Sequence, residues 1–250
     1  MRFAKISART PTAIVNRVDE LTEMATDDND RFSVERNTAL LDAVLSGVSE
    51  SVEAMAREGA DVNARRYDGK TPLNVASSMG FVETVRILLD NGADIDSRDN
   101  EGLTPLYKAV LGEHHDVVTL LIELGASIDT QESNGRSPLM VACRRGTLNT
   151  VSRLLKNGSQ FNMRDNGGFT PLHDASGAGH AKIVGQLLAA GADLNVTAHN
   201  GESCLLTAAF HGHTDVVCAL VSAGADVNLY KRMTVILLSA RLVTKDILTV

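Results

Sequence analysis

The sequence predicts an all-α solenoid, a one-dimensional stack of helix pairs, and three observations carry that prediction. Valine recurs every 33 residues, at Val52, Val85, Val118, Val151, Val184 and Val217. Three further columns keep the same interval: Leu40 to Leu205, Ala43 to Ala208 and Gly59 to Gly224. Four columns in one register mean six copies of a supersecondary unit, each burying its apolar face against its neighbours. Composition agrees, because 44% hydrophobic residues with 4% aromatics and no Trp suit thin layers packed through Ala, Val, Leu and Gly.

Each unit reads as helix, turn, helix, hairpin. In the copy Asp68 to Asn100, Thr71 is placed to cap a first helix that opens on Pro72, where a fixed φ and a missing amide proton do no harm. The hydroxyl recurs as Thr38, Thr104, Ser137, Thr170 and Ser203, while Ala39 and Cys204 replace the proline at the two ends. Leu73 and Ala76 share one face of the first helix, and Gly80 follows as a helix terminator. Val85, Leu88 and Leu89 then mark a second helix, ended at Gly92 before a turn at Asp99 to Gly102.

The TPL tripeptide, the central Gly, the VxxLL pattern, GAD and the following DxxG together resemble the ankyrin repeat. Thr170 to His173 keep the family's TPLH tetrapeptide, and Gly179–His180 and Gly212–His213 keep its Gly-His pair. The resemblance covers Glu35 to Arg232 and divides into six units, 35–67, 68–100, 101–133, 134–166, 167–199 and 200–232. It implies a β-hairpin-like loop in each unit. Two departures lie inside the array. Glu113 stands in a glycine column with Gly112 one place earlier, which predicts a shifted turn, and Ser159 and Gln160 replace the usual Ala and Asp.

The flanks read differently. Residues 1–34 form an N-terminal segment in which Thr10, Pro11, Ile14, Val18 and Leu21 suggest a capping helix, followed by a solvated acidic link from Ala25 to Ser33. Residues 1–17 carry four basic groups and no acid, a faint likeness to a targeting segment that chance composition explains as well. After Arg232 the register fails, so 233–250 is a degenerate half-repeat with an apolar run, VILLSARLV, that leaves a surface for a partner or a further unit. Stability should be lowest in the first copy and beyond Arg232.

Several function classes drop away. Cys143, Cys204 and Cys218 are an odd number and imply no disulfide framework, which fits a reducing, cytoplasmic (or nuclear) setting. No apolar run approaches the roughly 20 residues of a membrane span. His211 and His213 beside Cys204 and Cys218 lack metal-ligand spacing, and neighbouring His114, His115 and Asp116 cannot face one another on a helix. The glycines keep the repeat interval and match no phosphate-binding loop. No enzyme, metal, cofactor or small-molecule substrate is implied.

What remains is a protein-binding module or adaptor, its framework set by recurring residues while others vary. The resemblance implies that partners lie on the concave surface of hairpin tips and first helices. The residues to read there are Tyr67, Lys70, Met79, Asn100, Leu103, Leu111, Arg136, Arg144, Arg145, Phe169, Phe210 and His211. Charge is uneven along the array. Unit 101–133 has one basic and six acidic side chains, whereas 134–166 has six basic against Asp165 alone. Arginines beside Phe169, Phe210 and His211 would suit a partner segment carrying carboxylate or phosphate next to an apolar anchor. The plainer reading pairs those arginines with acids of the preceding unit, such as Glu101 or Glu132.

Two alternatives stand beside this. The array could be a regulatory or targeting subunit of a larger enzyme or channel assembly. Nucleic acid could bind the basic unit, but a pI near 5.5 and the flanking acidic unit argue against it. The resemblance also implies a hairpin asparagine open to hydroxylation, matched by Asn63, Asn195 and Asn228 and more loosely by Asn162, for which a turn-closing role is the plainer reading.

Overall fold

A computed structural model describes residues 28–227. The capping helix and the targeting likeness before Asp28, and the half-repeat after residue 232, lie outside the described residues. Within them the chain forms twelve helices and no strand, the sole β feature being an isolated bridge between Thr197 and Ser203.

The first helices of successive units are α1 (Asp28–Ser46), α3 (Pro72–Met79), α5 (Pro105–Leu111), α7 (Pro138–Arg145), α9 (Pro171–Gly177) and α11 (Cys204–Phe210). The second helices are α2 (Ser49–Arg57), α4 (Val82–Asp90), α6 (His115–Glu123), α8 (Leu148–Lys156), α10 (Ala181–Ala189) and α12 (Thr214–Ser222). Each first helix packs on its neighbours in one layer, each second helix on its neighbours in the other, and the two helices of a unit join the layers. The Leu, Ala and Val columns are the shared core: Leu73, Leu106, Leu139 and Leu172 are fully buried, as are Val85 and Val151. Their burial against both neighbours is what the 33-residue interval encodes.

Four of the predicted caps hold, while at Thr170 the hydroxyl meets His173 Nδ1 (2.9 Å) and makes no cap bond of its own although Pro171 follows. The side chains of Thr71, Thr104 and Ser137 accept from the backbone N–H of Asn74, Tyr107 and Met140, satisfying an otherwise orphan donor, and Ser203 does the same for Leu206 without a proline. The first copy departs from this. Helix α1 starts at Asp28 and runs through Thr38, whose hydroxyl donates to Val34 O (2.8 Å) inside the helix. Thr38 is therefore no cap, and the described part of the expected acidic link, residues 28–33, is helical. Without proline at position 39, nothing in the chain blocks helix propagation from upstream.

Glu113 supplies a second correction. The turn is not shifted, because Glu113 itself takes the left-handed conformation (φ 60°) that glycine adopts in the equivalent places, while Gly112 is right-handed. A glutamate there carries strain of about 1 kcal/mol.

The hairpins form an edge knitted along the stack. Each is closed by a backbone bond, as from Asp99 N to Leu103 O, and joined to the previous one, as from Asn100 N to Asp68 O and from Ser133 N to Glu101 O. Asparagines add to it: Asn63 donates from Nδ2 to Gly92 O (3.0 Å) and accepts from Asp94 N (2.8 Å), so this side chain joins consecutive units, while the expected closing of its own turn falls to Asp61 Oδ1, which accepts from Asn63 N (2.9 Å). Asn162 and Asn195 accept from Asp193 N and Asp226 N in the same way, and Asn228 lies outside the described residues.

Candidate protein-binding face

The first-helix layer and the hairpin tips together make one face of the stack, and every sequence-predicted site residue belongs to it. They divide into residues whose side chains are built into the framework and residues with much of the side chain exposed.

Leu103 is 8% exposed and belongs to the core, so it is corrected from a contact residue to a packing residue. Its backbone N–H donates to Asp99 Oδ1 (2.9 Å), which pulls the hairpin inward. Asn100 is exposed but donates from Nδ2 to Tyr67 O (3.1 Å), fastening one tip to the next. Lys70 is half-buried and pairs with Asp68 (2.9 Å). Phe169 is half-buried, with its ring edge-on to His173 at 5.6 Å between centroids. His211 Nδ1 is bonded to Thr207 O (2.9 Å), and its ring stacks on His213.

The three arginines prove unequal. Arg136 crosses to the following unit, where Nη2 meets Asp174 Oδ2 at 2.7 Å. Burial raises the Asp174 carboxyl above the ordinary carboxylate value, with Arg136 only partly offsetting it. Arg145 pairs with Glu113 of the preceding unit at 3.0 Å, an exposed contact. Pairing with an acid of the preceding unit thus holds for Arg145, through Glu113, while Arg136 meets Glu132 only by its backbone N–H (3.2 Å) and sends its guanidinium one unit ahead. Arg144 is exposed and makes no ion pair among the described residues, although its charge reaches Asp174. Its backbone carbonyl is held by His180 Nε2 at 3.2 Å, which fixes the helix end that carries the side chain.

Exposed large side chains complete the face. Tyr67 (66% exposed) stands at a hairpin tip with Arg66 over its ring, and Met79, Leu111 and Phe210 (65% exposed) stand at the ends of α3, α5 and α11. Each leaves apolar surface in contact with water.

Two buried charges under this face were not singled out by sequence reasoning. Lys108 Nζ meets Asp99 Oδ2 at 2.6 Å with both side chains almost fully buried, and Asp174 lies one unit beyond Val141 in the same column. The column Val75, Lys108, Val141, Asp174 holds the signal, since a charge replaces an apolar residue at alternate copies. His173 also belongs to the framework. Its Nδ1 accepts from Thr170 N (3.2 Å) and its Nε2–H donates to Glu202 O (3.2 Å), and burial lowers its pKa, so the neutral ring bridges two units.

On the opposite face an open recess of about 420 Å³ lies between α6 and α8, lined by both signs of charge, Asp116 with Arg153 and Lys156. Among the described residues no group of three or more His, Cys, Asp or Glu side chains is placed to hold a metal ion, and no helix is long and apolar enough to cross a membrane.

A family model described as ankyrin repeats (three copies) matches residues 12–99, 40–132, 106–198 and 166–231. A search of curated proteins finds no match. With that model covering nearly the whole chain, and with paired helices and knitted hairpins repeating every 33 residues, this protein belongs to the ankyrin-repeat family.

Proposed function

We propose that the chain is a non-catalytic protein-binding module that captures a partner on its first-helix and hairpin face. Ankyrin repeats are generally protein–protein interaction modules and typically lack catalysis, and this chain has the family's framework. One observation carries the reading to particular residues. Tyr67, Met79, Leu111, Arg144 and Phe210 are exposed on one face, at positions where the repeat imposes no residue, while the recurring positions beneath them are buried. Large apolar side chains and an exposed arginine spread along one face have the composition of a surface that binds another protein.

The partner segment carries carboxylate or phosphate, because Arg144 offers a planar donor fork that nothing in its own unit neutralises. Arg145 joins it when the partner displaces Glu113. Capture experiments with the full chain test this: R144E with R145E weakens capture and leaves the thermal midpoint nearly unchanged. Undiminished affinity for each isolated partner would refute the role of these arginines.

A further inference from the structure

We infer that the captured segment is an acidic or phosphorylated chain in the polyproline II conformation, read along one column of first-helix ends with a period of three residues. This deepens the reading above and rests on it. The column is Leu111, Arg144, Gly177 and Phe210, one residue per unit at the ends of α5, α7, α9 and α11.

Geometry selects the conformation. Neighbouring helices of a layer lie about 8–10 Å apart, so the column presents one group at each such step. A polyproline II chain has three residues per turn and rises about 3.1 Å per residue, so residues i, i+3 and i+6 share one side at about 9.3 Å intervals. A β-strand covers a similar distance in three residues but turns the third side chain to the opposite face. An α-helix would need about six residues per step, which is not a whole number of its turns, and its width of about 10–12 Å would press it onto the adjoining column. There Arg145 and His211 are already held by Glu113 and Thr207 O.

Chemistry then assigns the positions. The anionic side chain lies over Arg144, with an apolar residue three places away over Leu111. On the other side the third residue meets Gly177, where the column has no side chain. A Cβ built there would stand 2.9 Å from Thr207 Cγ2, so α9 and α11 approach closely and the Thr207 methyl already occupies that place. The partner's third residue passes over it without a pocket of its own, and its sixth residue lies on Phe210. An exposed aromatic ring at the end of such a track is the surface on which polyproline II segments dock.

The test is selection of random ten-residue peptides displayed against the full chain, repeated with R144E and with F210A. The expected winners are proline-rich, carry one acid, and place apolar residues three positions to one side and six to the other. R144E should lower their affinity at least tenfold and select a basic residue at the acid's position. F210A should release the demand at the sixth position. Resynthesis with serine and with phosphoserine in place of the acid separates the two sources of charge, and binding by neither carboxylate nor phosphate overturns the inference. Winners that lose binding on R144E or F210A but show no three-residue register overturn it and leave the binding face standing. Winners indifferent to every substitution on this face, or no winners, overturn both.

Discussion

Arg136 and Asp174 are joined across two units, Nη2 to Oδ2 at 2.7 Å, and this bond removes one of the three arginines from the proposed binding surface. It also leaves the face with a graded supply of positive charge: Arg136 committed, Arg145 held by an exposed acid, and Arg144 without an ion pair among the described residues.

R136A should destabilise the protein by about 2 kcal/mol, because the buried carboxylate loses its charged donor. Urea denaturation measures it, and an unchanged midpoint would show the bond to be ornamental. The carboxyl's pKa is raised above 3.8 by burial, so the folded protein binds this proton more readily than the unfolded chain. Stability of the parent relative to D174N should therefore rise as pH falls through the window just above 3.8. A difference that narrows or stays flat there would contradict the assignment.

E113G should raise the thermal midpoint. Relief of the left-handed glutamate is worth about 1 kcal/mol, against at most a fraction of that for the exposed pair with Arg145. The same change releases Arg145, so affinity for an acidic segment should increase as well.

K108A should cost about 3 kcal/mol, since Asp99 would keep only the backbone N–H groups of Glu101 and Leu103 in a buried place. Loss of hydrogen-exchange protection should centre on the hairpin at residues 99–103. Protection lost first at the second helices would point to another cause.

Thiol titration of the native protein should find one fast cysteine out of three. Cys218 is exposed, whereas burial pushes the thiols of Cys143 and Cys204 well up, so both stay protonated and inaccessible until unfolding. Rapid labelling of either buried residue in the folded state would contradict the packing.

Architecture was legible because it repeats. A leucine that must be buried in every unit appears in every unit, and a cap followed by proline at Thr71, Thr104 or Ser137 specifies its helix start locally. The reading failed at Thr38, not for want of a proline, since Ser203 caps without one, but because the residues before Thr38 are already helical and it ends up inside α1. Glu113 shows the opposite case, a framework strong enough to hold an unsuitable residue in glycine's conformation. The binding face was legible only as a set of variable positions. Which of them are free depends on pairings such as Arg136 with Asp174, 38 residues apart, that no column predicts because they cross between columns.

The central claim is that partners are captured on the first-helix face through Arg144 and its apolar neighbours. The direct measurement is the affinity of one isolated partner for the parent chain, for R144E, for F210A, and for K156E on the opposite face. The account predicts at least tenfold loss for R144E and F210A, none for K156E, and equal thermal midpoints throughout. Loss with K156E alone, at the recess between α6 and α8, would place the binding surface on the other side of the stack.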